Sequence, residues 1–174
     1  MPFNLMQISG VNRAFSLAED MVGRYFRLNH RDMRANRYDI KTLNHLLHHE
    51  VDAGAFAHLC KYYYQKFPDE GHPENFHFYR VCLQDDRILD AVDRAKSFIK
   101  FSALMLYIAT HEIVHVVRFN RGDSDFDAPF EAKKVEEEKV NTITQEILQP
   151  SAVADMTLVL NCFSKQYRIG SIFS

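Results

Sequence analysis

The chain's strongest hydrophobic feature is residues 98–119, where Leu104, Leu106, Ile108, Ile113, Val114, Val116 and Val117 leave little polar surface. A helix with so little polar face is mostly buried. Lys100 interrupts the run and ionisable residues follow, which predicts a core helix and not a membrane span. Upstream, Val11, Phe15, Ala18, Met21, Val22, Tyr25 and Phe26 recur at helical spacing and predict an amphipathic helix over 11–28. Asp39 is placed to cap a helix through His49, and a second helix is expected over 52–67. A proline- and glycine-bearing loop covers 68–73. Residues 76–83, aromatic and β-branched, read as the one convincing strand, with one or two short partners allowed. Asp85 and Asp86 end it. A helix follows from Ile88, either continuous with the apolar run or broken near Ser97. Pro129 opens a last helix, which runs to Leu148 before Pro150 stops it. The basic stretch Arg27, His30, Arg31, Arg34 and Arg37 reads as a solvated connector.

Inside the apolar run stands His111-Glu112-Ile113-Val114-His115, an H-E-x-x-H pattern. Residues four apart lie one turn above each other on a helix, so both imidazoles can face one metal ion. Glu112 follows the first histidine directly, where its carboxylate can deprotonate a water at that metal. Two histidines and a glutamate on a buried helix need partners, and a metal supplies one. His45 and His49 share the four-residue spacing, but Leu46 stands where a catalytic carboxylate would, and exposed helix histidines are the ordinary reading. The aspartates of 121–129 lack the glycine and the final glutamate of a calcium loop.

The length of 174 residues suits one domain over 1–174: a helical part at 1–67, a metal-site core at 76–150 and a C-terminal segment at 151–174. The formal net charge of −2 gives no electrostatic case for nucleic acid or a membrane surface. Cys60, Cys82 and Cys162 are odd in number and widely spaced, so each reads as a buried thiol. No signal-peptide pattern opens the chain, and a cytoplasmic location is expected.

A catalytic zinc site usually has three protein ligands. The 130–148 helix carries Glu136, Glu137 and Glu138. Val140, Ile143, Thr144, Ile147 and Leu148 mark its core face. Glu137 and Glu136 lie along that face and Glu138 points to solvent, which leaves the first two as candidates for the third ligand.

The stretch Glu137 to Pro150 resembles the E-x-x-A-N-x-F-A-x-x-L-L-x-P signature that follows H-E-x-x-H in the ImmA/IrrE-type metallopeptidases. These are glutamate-ligand zincins. The resemblance covers roughly the last 80 residues at the level of motifs. Val140 and Ile143 depart from its small and aromatic positions, and Val114 from the usual glycine. It implies Glu137 as the zinc ligand, and Glu136 stays as second choice from its helical position alone. It also implies Asn141 as the group that bonds a zinc histidine from behind.

The expected fold is therefore mainly α (α+β), a zincin-like helical domain with a small sheet or hairpin beside the H-E-x-x-H helix. The expected function is a zinc-dependent metallopeptidase with one Zn2+ per chain, bound by His111, His115 and Glu137. Glu112 would be the general base and a peptide or protein the substrate. The strand at 76–83 is a candidate edge for that substrate. Tyr167, His77 and Arg118 are open candidates for the oxyanion donor. The alternative is a zinc-binding regulatory or interaction protein with little turnover. Oligomeric state and specificity are not legible.

Overall fold

The computed structural model describes residues 1–65, 75–96 and 98–164. It is mainly α, with one small mixed sheet. Helix α1 spans Leu5–Tyr25 and α2 spans His30–Ala35. Strand β1 (Tyr38–Lys41) and two short 3-10 turns (Leu43–His45 and His48–Glu50) lead to β2 (Ala57–Gln65) and β3 (Asn75–Leu83). Helices α3 (Asp85–Arg94), α4 (Phe101–Arg121), α5 (Phe130–Leu148) and α6 (Ala154–Phe163) complete the described chain.

Helix α4 is the axis of the molecule. Fifteen of its residues are buried, twelve of them in one unbroken run from Tyr107 to Arg118. Helix α1 lies along it, with Val11, Phe15, Ala18 and Val22 at the contact side. The polar Asn4 opens α1 as a capping box with Gln7. Gly122 closes α4 at φ 77°, a left-handed conformation in which glycine avoids the Cβ clash of other residues. Helices α5 and α6 close the other side, and the core runs continuously from Phe3 to Phe163.

The sheet order is β1-β3-β2, with β1 parallel and β2 antiparallel to β3. Tyr79, Val81 and Leu83 turn one face toward α4, where Tyr79 stacks on Phe119 at 5.7 Å. The opposite face carries Phe76, Phe78, Arg80 and Cys82.

Two sequence expectations fail here. Residues 39–49 hold no α-helix, only the short 3-10 turns: Asp39 is not a cap but lies in β1, where its carboxylate accepts two bonds from Arg80 at 3.0 Å. The described part of 52–67 is not helical either, since β2 occupies most of it; 66 and 67 lie outside the described residues. Tyr62 stacks on Phe78 at 5.5 Å and Tyr64 on Phe76 at 5.6 Å across the strands. Such cross-strand aromatic pairs favour the sheet where the local pattern is ambiguous. With the helix gone, His45 and His49 no longer share a helical face, and His49 instead bonds the Tyr62 hydroxyl.

The expected strand at 76–83 is present as part of β3, but it is central and not an edge. The helix after it is broken: α3 ends at Arg94 and α4 begins at Phe101, with Lys96 at φ 48° between them. Ser97 itself lies outside the described residues. Helix α6 lies in the C-terminal segment, for which the sequence pattern predicts no element. Among the described residues, no helix is long and apolar enough to cross a membrane.

Candidate metal centre

His111, Glu112 and His115 sit on the buried middle of α4, exposed by 2%, 4% and 8%. The helix fixes His111 and His115 one above the other. Glu137 comes from α5, which crosses against α4. Its carboxylate lies 2.8 Å from His111 Nε2 and 3.0 Å from His115 Nε2, and the two Nε2 atoms are 3.2 Å apart. Three ligand atoms from two helices thus converge on one point. Glu112 does not join them but lines the same cleft, of about 630 Å³, together with Ala57 and Leu59 of β2.

The donor set fits a zinc ion. Tetrahedral ligands at ~2.0–2.1 Å from zinc stand roughly 3.3 Å from one another, close to the separations observed. Two imidazole nitrogens facing each other at 3.2 Å share a hydrogen bond only if one of them carries a proton. A cation between them removes that requirement.

The carboxylates and imidazoles of the site also act on one another electrostatically. Burial alone would raise Glu137, but the imidazoles of His111 and His115 outweigh it and hold the carboxyl well below the ordinary range. Burial alone would lower His115, but Glu137 outweighs it and raises the imidazole. Burial raises Glu112, opposed by the two histidines and reinforced by Glu137. A raised carboxyl beside a cleft is suited to take and return a proton.

Glu136 is engaged elsewhere. Its carboxylate accepts from Arg118 Nε at 2.6 Å and Nη2 at 3.0 Å, in a buried two-pronged pair. One residue along α5, Glu137 is turned toward the histidines instead, so the two candidates separate by helix rotation alone.

Asn141 corrects a second expectation. It touches neither histidine. It accepts from the Tyr107 hydroxyl, and its Nδ2 donates to Phe163 O at 2.9 Å. Tyr107 is the group that meets the site, its ring stacked on His111 at 6.2 Å and on Phe163 at 4.1 Å. Asn141 therefore holds a ring that packs on a histidine and not the histidine itself. The physical reason lies in reach: Tyr107 occupies the layer between Asn141 and the imidazole. The Nδ1 atoms of His111 and His115 are buried without a hydrogen-bond partner among the described residues.

Of the oxyanion candidates, Arg118 is held by Glu136 and by Asp123 at 3.7 Å. His77 bonds Asn120 at 2.8 Å. Tyr167 lies outside the described residues. Sequence reasoning missed the contribution of α6, which supplies Phe163, and the placement of β2 at the cleft. Only the aromatic run Tyr62 to Tyr64 hinted at a strand there. Comparison with protein-family models, curated proteins and solved structures finds no match in any of the three.

Proposed function

We propose that the protein is a zinc-dependent metallopeptidase of the zincin type, in line with the motif resemblance to the ImmA/IrrE-type family. The observation that carries this reading is the convergence of His111 Nε2, His115 Nε2 and the Glu137 carboxylate within 3.2 Å of one another, beside Glu112 in an open cleft. His111, His115 and Glu137 would hold one Zn2+. When bound, that ion supplies a Lewis acid that lowers the pKa of water toward ~7 and polarises a carbonyl.

The chain's own residues would do the rest. Glu112 takes the proton of the attacking water on a carboxylate oxygen and passes it to the departing amine. Tyr107 and Phe119 stack on His111 and His115 and limit ring rotation. β2 is the sheet edge beside the cleft, so its outward N–H and C=O groups can pair with an extended peptide. This moves the proposed substrate edge from the 76–83 strand to β2. A peptide or protein is thus the substrate class the site suits.

The test pairs metal content with turnover. Purified protein should carry zinc, and Glu137→Ala should weaken its retention. Glu112→Gln should keep zinc and lose cleavage of a peptide library by on the order of 10²–10⁴-fold. Glu112→Gln that cleaves as wild type does would refute the mechanism. Zinc retention with no cleavage by wild type would favour the regulatory reading.

A further inference from the structure

The sheet face turned away from α4 holds a second convergence of ligand atoms. Alternation along the strands puts His58 and Cys60 of β2 on that face, and Cys82 of β3 beside them. The register sets His58 directly opposite Cys82. Cys60 Sγ lies 3.8 Å from Cys82 Sγ and 3.9 Å from His58 Nδ1. All three ligand atoms fall within 4.8 Å of one another. Cys82 is fully buried, and the other two are half-buried.

The imidazole is already oriented for ligation. His58 Nε2 lies 2.7 Å from the Glu50 carbonyl oxygen, which also accepts from Gln84 Nε2 at 3.0 Å. A carbonyl only accepts, so His58 Nε2 carries the proton and Nδ1 presents its lone pair to the two sulfurs. Metal-binding histidines are held in this way, with the second ring nitrogen donating to a fixed acceptor. The sulfur spacing also suits an ion: two thiolates on a tetrahedral zinc at ~2.3 Å stand roughly 3.8 Å apart.

We propose that His58 Nδ1, Cys60 Sγ and Cys82 Sγ form a second metal site, built for Zn2+ as a thiophilic cation. Uptake of Zn2+ by two thiols would form two Zn–S bonds and release the two thiol protons to solvent. The fourth position is left to water. Occupancy would tie β2, the strand beside the cleft, to β3 and to the turn at Glu50. The two sites share no ligand, although His58 also lines the cleft of the α4 site and acts electrostatically on Glu112.

The experiment uses the full chain, stripped of metal by a chelator under reducing conditions and titrated with Co2+. Thiolate ligation gives near-ultraviolet charge-transfer absorption, which nitrogen and carboxylate ligands do not produce. The absorption should appear in wild type and persist in His111→Ala/His115→Ala. It should vanish in Cys60→Ser/Cys82→Ser, with zinc content falling by about one ion per chain. His58→Ala keeps both thiols and should weaken Co2+ binding at least tenfold, which covers the case of a serine variant that does not fold. Three results would overturn the proposal. One is folded wild type whose thiols titrate freely and show no such absorption. Another is a Cys60–Cys82 disulfide in protein isolated with thiols blocked, with no Co2+ uptake after reduction. The third is absorption that survives the double serine change.

Discussion

Glu136→Ala should damage the fold far more than it damages metal binding, and Glu137→Ala the reverse. Glu136 and Arg118 form a two-pronged pair at 2.6 and 3.0 Å, with side chains only 11% and 8% exposed. Removing one member of a buried pair leaves the other charge uncompensated, at a cost of ~3–5 kcal/mol. Arg118 would keep Asp123 at 3.7 Å, which places the loss near the lower end, about 3 kcal/mol. For a chain of this size that lowers the thermal midpoint by roughly 6–12 °C. Glu136→Met combined with Arg118→Met should recover much of the loss, because no charge is then stranded. Glu137 instead meets both imidazoles and is 36% exposed. Its removal should weaken zinc binding by more than the ~10–100-fold typical of an outer partner. The assays are thermal unfolding of metal-free protein by circular dichroism, and zinc competition against a chelator of known affinity. If Glu136→Ala weakened zinc as much as Glu137→Ala and left the midpoint unchanged, the division of roles between the two glutamates would be wrong.

Other consequences follow from the same contacts. Asn141→Ala should destabilise the protein by about 1 kcal/mol, because the buried Tyr107 hydroxyl loses the acceptor of its proton while keeping its hydrogen bond with Gln145. Zinc affinity should change little, and a loss of ~10–100-fold would mean that Asn141 supports a histidine directly. Acid should destabilise the far side of the sheet through Glu50. Burial raises this carboxyl, but bonds from Tyr62, Leu47 and Arg80 outweigh it and lower its pKa from the ordinary glutamate value. A depressed folded pKa gives stability that is present above the unfolded value and lost as pH falls through the folded one. Urea midpoints should therefore drop below about pH 4.3, and less steeply in Glu50→Gln. Equal slopes in the two proteins would remove Glu50 from the account.

The sequence by itself determined the parts whose information is local. The continuous apolar run specified α4 as a buried helix, because no polar stripe could face water along it. Within it, four-residue spacing fixed the shared face of His111 and His115, since helix geometry leaves no alternative. Pro129 and Pro150 bounded α5 closely, and β-branched and aromatic residues marked β3. Tertiary structure decided the rest. Glu136 and Glu137 are neighbours with similar helical positions, and only the packing of α5 against α4 assigns one to Arg118 and the other to the histidines. Nothing local reveals that Tyr107 and Phe163 fill the layer between Asn141 and His111, so the motif alone pairs Asn141 with a histidine. The strand β2 is not legible as a strand because both of its faces are partly covered, which erases the polar alternation of a strand. The grouping of His58, Cys60 and Cys82 depends on the register of β2 against β3, a pairing across 22 residues of chain between the two cysteines. Register is a long-range property, set by which aromatic faces stack across the strands, and no local pattern carries it.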